Sequence, residues 1–140
     1  MSDFLAFEKA ALKLLVSGDD PILASLSSQM NSANVQQREH TGVGQYTSIG
    51  FSSPVMPLAG QPSFCLGDVL ADVYGVPSGV GFILWVDQGV ISTLEIYTYQ
   101  EELPSEVQTF SVRYNTNSGQ RDLESLRGTA GWPRSQGSSS

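Results

Sequence analysis

The segment from Gly81 to Tyr99 constrains this chain more than any other. Phe82-Ile83-Leu84-Trp85-Val86 and Val90-Ile91-Ser92-Thr93-Leu94-Glu95-Ile96-Tyr97 are runs of β-branched, aliphatic and aromatic residues. Between them stands Asp87-Gln88-Gly89, a short connection whose glycine supplies a left-handed position. The pattern predicts an antiparallel hairpin with a three-residue loop. Pairing Val86 with Val90 sets Leu84 opposite Ser92 and Phe82 opposite Leu94, so Phe82, Leu84, Val86, Val90, Leu94 and Ile96 share one apolar face. The reverse face then carries Ile83, Trp85, Ile91, Thr93, Glu95, Tyr97 and Tyr99. That face is too aromatic for a fully wet surface and too polar for a plain core, so something is expected to cover part of it.

Two helices are expected ahead of the sheet. From Ser2 to Val16, Phe4, Leu5, Phe7, Leu12, Leu15 and Val16 recur at three- and four-residue steps, with Glu8, Lys9 and Lys13 between them. Gly18 ends this helix, and Asp20-Pro21 supplies a cap and a first-turn proline for a second, with the stripe Ile22, Leu23, Leu26 and Met30. Val35 to His40 and Gln45 to Ser52, around Thr41-Gly42-Val43-Gly44, read as a polar hairpin toward a sheet edge. Pro54, Pro57 and Pro62 make Ser53 to Ser63 a loop, since proline cannot donate to a strand ladder. Asp68 to Tyr74 reads either as a strand, on its strict alternation, or as a helix capped by Asp68 and ended by Gly75; the strand is preferred. Val107 to Tyr114 supplies a last strand. The fold class is therefore α+β: two N-terminal helices on an antiparallel sheet of five or six strands in mainly sequential order. Residues 1–114 form one domain. Asn115 to Ser140, rich in Gly, Ser, Asn and Gln, is expected as a flexible tail.

Composition narrows function by exclusion. The chain has 140 residues, room for one domain with a real core. Fourteen acids against seven bases give a net charge of −7, the wrong sign for neutralising a phosphate backbone, so no nucleic-acid partner is expected. No apolar run is long enough for a membrane span, and no basic stretch leads into a signal core. One cysteine, Cys65, fits a reducing, cytoplasmic setting. His40 and Cys65 are too few and too far apart for a transition-metal site, and no Gly-x-Ser-x-Gly elbow accompanies His40. Neither a metal nor a cofactor is expected. Phe64 and Leu66 make Cys65 read as a buried small residue, and His40 as a solvated hairpin side chain. Asp68 and Asp72 share a strand face, the arrangement of acids that keep an edge soluble.

The order of elements resembles that of a group of small bacterial proteins to which no activity attaches. The likeness is carried by Leu14-Leu15, by Leu23 to Leu26 with Gln29, by Ala33-Asn34-Val35, and above all by Val86 through Tyr97 with its Leu94-Glu95-Ile96-Tyr97 ending. It spans residues 12 to 114 apart from the proline loop. The resemblance implies a compact α+β domain, and some similar small acidic proteins act as immunity partners of toxins.

Two readings of function follow. In the first, the chain is a non-enzymatic interaction protein whose partner-binding residues are Ile83, Trp85, Glu95, Tyr97 and Tyr99, edged by Glu101 and Glu102, and whose occupant is a protein partner or a second copy forming a homodimer. In the second, the same face curls into a pocket for a small molecule or substrate, with Glu95 as its polar group.

Overall fold

The computed structural model describes residues 3–104 and 106–133. The structure is an α+β fold: two N-terminal helices pack on one face of a six-stranded antiparallel sheet. Helix α1 spans Ala6–Leu15 and turns Phe7, Ala11, Leu12 and Leu15 inward, together with Glu8. Helix α2 spans Pro21–Gln29, opened by Asp20, whose Oδ1 accepts from the Ile22 N–H at 2.8 Å with Pro21 in the first turn. Strands β1 (Ala33–His40) and β2 (Gly44–Phe51) form the first hairpin. Strands β3 (Phe64–Val73), β4 (Val76–Asp87) and β5 (Val90–Thr98) form a meander, and β6 (Phe110–Tyr114) is short. Asp68 to Val73 lies within β3, so the strand reading of that segment holds and the helix reading does not.

Strand order is β1-β2-β5-β4-β3-β6, not sequential. The β3–β5 meander is inserted in reverse, so β5 lies beside β2 and β3 lies beside β6. The proline loop makes this possible. Its Leu58 is buried, the Leu58 N–H donates to the Gly89 carbonyl at 2.9 Å, and the Gly89 N–H donates to the Pro62 carbonyl at 2.7 Å. Gln29, at the end of α2, clamps the same place: its Nε2 donates to the Met56 and Gly89 carbonyls and its Oε1 accepts from the Ile91 N–H. Each of these loop groups would otherwise be an unpaired polar atom beside the core.

The central hairpin forms, with a corrected register. Asp87 pairs with Val90, so the loop has two residues, Gln88 and Gly89, both at positive φ. A bulge at Ser92 then shifts the pairing: Val86 faces Ile91, Leu84 faces Leu94 and Phe82 faces Ile96. Without the bulge, an inward Ile91 would carry Thr93 and Glu95 inward too. With it, Ile91 joins Phe82, Leu84, Val86, Leu94 and Ile96 in the core, and Val90 is only partly buried. Ile91 therefore leaves the outer face expected for it.

The chain from Asn115 onward was expected as a flexible tail; as far as Pro133 it instead packs on the domain. Helix α3 (Leu123–Arg127) buries Leu126, and Trp132 meets Phe64 edge-on at 5.2 Å between ring centres. Arg121 grips both oxygens of Asp68 at 2.9 Å and donates to the Leu14 and Ser17 carbonyls at the end of α1. Arg127 pairs with Asp20 at 2.7 Å. The rest of the expected tail, residues 134–140, lies outside the described residues.

Candidate functional site

Pairing across the sheet assigns the outer face residue by residue. One row runs Gln37, Ser48, Thr93, Trp85, Cys65 from β1 to β3; the next runs Glu39, Tyr46, Glu95, Ile83; the next runs Gly44, Tyr97, Gly81, Leu70, Arg113. Residues paired across neighbouring strands share a face, so these side chains all turn away from α1 and α2. The intervening rows hold Thr47, Leu94, Leu84 and Leu66, or Gln45, Ile96, Phe82 and Val69, all buried.

The large side chains of the outer face remain in solvent. Trp85 and Tyr46 are each 42 % exposed and Tyr99 is 52 % exposed. The Trp85 indole Nε1–H donates to Glu95 Oε1 at 3.1 Å, which leans the indole toward β5. Tyr97 lies over Gly81, where a Cβ would stand 2.1 Å from the tyrosine ring, so only glycine admits that ring position. Tyr97 and Tyr99 meet edge-to-face at 5.8 Å. Burial, then the hydrogen bond and charge of Tyr99 and the charge of Glu95, push the Tyr97 hydroxyl above its usual pKa.

Cys65 is half-exposed and belongs to this face, contrary to its reading as a buried side chain. Burial and then the Glu95 carboxylate push its thiol pKa upward, which favours the thiol over the nucleophilic thiolate. Beside it an open groove of about 560 Å³ is lined by Tyr46, Cys65, Trp85 and Thr93. The sheet beneath Glu95 is solid, with Phe82, Leu84, Leu94 and Ile96 fully buried.

The sequence-named residues divide in two. Ile83, Trp85, Glu95 and Tyr97 come together on adjacent rows of β4 and β5, and Tyr99 follows at the end of β5. Glu101 is occupied elsewhere: its Oε1 accepts from the Ser78 N–H at 3.0 Å and its carbonyl accepts from Thr98 Oγ1, so it ties the turn after β5 to the start of β4. Glu102 is exposed. Tyr46 was missed. The alternation in Gln45-Tyr46-Thr47 marks an outward tyrosine, but only the β2–β5 pairing puts it opposite Glu95.

Among the described residues, the charge on this face that has no ion-pair partner is of one sign. Glu39, Glu95 and Asp87 lie on it or at its border, and its basic residue among those described, Arg113 on β6, pairs with Asp72 at 3.2 Å. The other described arginines are engaged elsewhere: Arg38 with Glu8, Arg121 with Asp68, Arg127 with Asp20.

Among the described residues there is no cluster of three or more His, Cys, Asp or Glu placed to hold a metal. No helix among them is long and apolar enough to cross a membrane. Comparison of the chain with protein-family models, with curated proteins and with solved structures finds no match.

Proposed function

We propose that this protein is a non-enzymatic interaction protein that docks another protein on its outer sheet face, in a cytoplasmic setting. The observation that carries the reading is the exposure of Trp85 and Tyr46, on the strands either side of β5 and lining one groove of the sheet face opposite α1 and α2. Large rigid aromatic side chains held by the sheet lose little entropy on contact and supply most of the area an interface needs. Charge selects the occupant. A second copy would bring Glu39, Glu95 and Asp87 against their equivalents, a like-charge arrangement that disfavours self-association. A partner with an apolar centre and a basic border would meet no such cost. An immunity partner that holds a basic toxin is one protein of this description.

The test is capture by the immobilised full chain at low and high salt, compared with Trp85→Ala and Tyr46→Ala variants of unchanged circular dichroism and melting temperature. The reading expects one partner with a basic surface, retained by the wild type, lost with either variant, and weakened by salt. Sedimentation that shows a dimer dissociated by Trp85→Ala would replace it with self-assembly.

A further inference from the structure

The outer face holds one arrangement more specific than a docking plane. Glu95 stands on β5 with Tyr46 directly opposite on β2; on β4 Ile83 is opposite, and Trp85, one pair further along against Thr93, reaches back to Glu95 through its indole N–H. Strands two apart in a sheet are separated by about 9.5 Å, so a planar cation that pairs with Glu95 lies within reach of both aromatic side chains, Tyr46 directly across and Trp85 offset by one pair. Tyr46 and Trp85 also line one open groove with Thr93, beside Glu95 rather than over it.

Among the described residues no cation neutralises the Glu95 carboxylate. Its Oε1 accepts from the Trp85 indole at 3.1 Å. The four ion pairs of the fold commit Arg38, Arg113, Arg121 and Arg127 to Glu8, Asp72, Asp68 and Asp20. Lys9 and Lys13 are on α1, across the sheet from this face. A half-buried anion flanked by two exposed aromatic side chains attracts a cation through its charge and through the negative faces of the rings.

Resting on the docking reading above, we propose that the Tyr46–Glu95–Trp85 arrangement receives an arginine side chain of the protein partner. Arginine suits it better than lysine, because a guanidinium stacks on a ring face while donating in its own plane to a carboxylate, whereas an ammonium is a strongly hydrated point charge.

Three short peptides test this, Leu-Arg-Leu with blocked ends and its citrulline and lysine counterparts, titrated into the ¹⁵N-labelled full chain. The indole N–H resonance of Trp85 is followed, with that of Trp132 as the internal reference. The arginine peptide is expected to shift the Trp85 signal and leave Trp132 unchanged, with the citrulline peptide at least tenfold weaker and the lysine peptide several-fold weaker. Glu95→Gln should weaken the arginine peptide about tenfold, while Glu124→Gln on α3, an equal change in net charge, should leave it within twofold. No shift of Trp85 at millimolar arginine peptide, equal binding of the citrulline or lysine peptide, or equal weakening by Glu124→Gln overturns the inference. If any of these occurs while partner capture still depends on Trp85, the docking reading stands and the arginine site falls.

Discussion

Glu8 is the residue at which local chemistry and position disagree most. It sits on the inward side of α1, fully buried, and its carboxylate accepts from the Leu5 N–H at 2.7 Å, Arg38 Nη2 at 2.6 Å and Nε at 3.2 Å, Gln45 Nε2 at 3.1 Å and Thr47 Oγ1 at 2.8 Å. A buried anion is tolerated only when its lone pairs are filled in this way. Removing it leaves five donor atoms of four residues facing a hole, so Glu8→Ala should cost about 3 kcal/mol, read as a lower urea midpoint at unchanged slope. The ionisable side chains of the outer face set an alkaline limit. The raised Tyr97 and Cys65 groups, with Tyr114, are protonated in both states at neutral pH and contribute no slope there. Above the ordinary values of 9.0 and 10.0 the unfolded chain loses its protons first, so stability falls as pH rises from about 9 toward 11. Urea unfolding at pH 8, 9.5 and 11 should show that fall, and Tyr97→Phe should reduce it.

Among the elements, the central hairpin depends on its turn and the C-terminal segment on one side chain. Gly89 has φ +82°, and a Cβ there would lie 2.8 Å from the Leu58 backbone nitrogen. Gly89→Ala therefore combines a left-handed backbone with a clash against the proline loop, and should lower stability by about 2 kcal/mol or more in thermal or urea unfolding. Arg121 joins β3, the end of α1 and the chain that follows β6; its side chain is nearly buried and its Tyr114 neighbour lies 5.2 Å below the guanidinium. Arg121→Ala strands Asp68 and the Ser17 carbonyl, while the Leu14 carbonyl keeps the Tyr114 hydroxyl, so a loss of about 2–4 kcal/mol is expected, with early proteolysis after Asn115. Arg113→Ala is the contrast. Its pair with Asp72 is exposed on both sides, and the change should fall within about 0.5 kcal/mol.

At the scale of the molecule, the sheet separates two environments. One face carries the core beneath α1 and α2, and the other carries aromatic residues, a thiol and acids. Because the described arginines are tied up in ion pairs, the outer face keeps its negative character. The protein should therefore stay monomeric in sedimentation equilibrium at 100 micromolar and low salt, the condition that most favours charge repulsion between two such faces. A partner affinity that falls as salt is raised is the paired expectation.

Periodicity alone determined the helices, the two hairpins and the inward set of β4, because alternation and helical spacing are local and the side chains that satisfy them are adjacent in sequence. Ile83, Trp85, Glu95 and Tyr97 were legible for the same reason: one hairpin holds them all. What the tertiary structure decided were matters of long-range pairing. The Ser92 bulge moved Ile91 inward, the reversed meander set Tyr46 opposite Glu95, and Arg121 bound the chain beyond Asn115 to the end of α1. A bulge is one unpaired residue with no compositional mark, and a strand neighbour chosen across a long loop leaves no periodic trace. The anion at Glu8 is the same case: on a helix face it is one acid among apolar residues, and its partners on β1 and β2 are supplied only when the sheet closes over it.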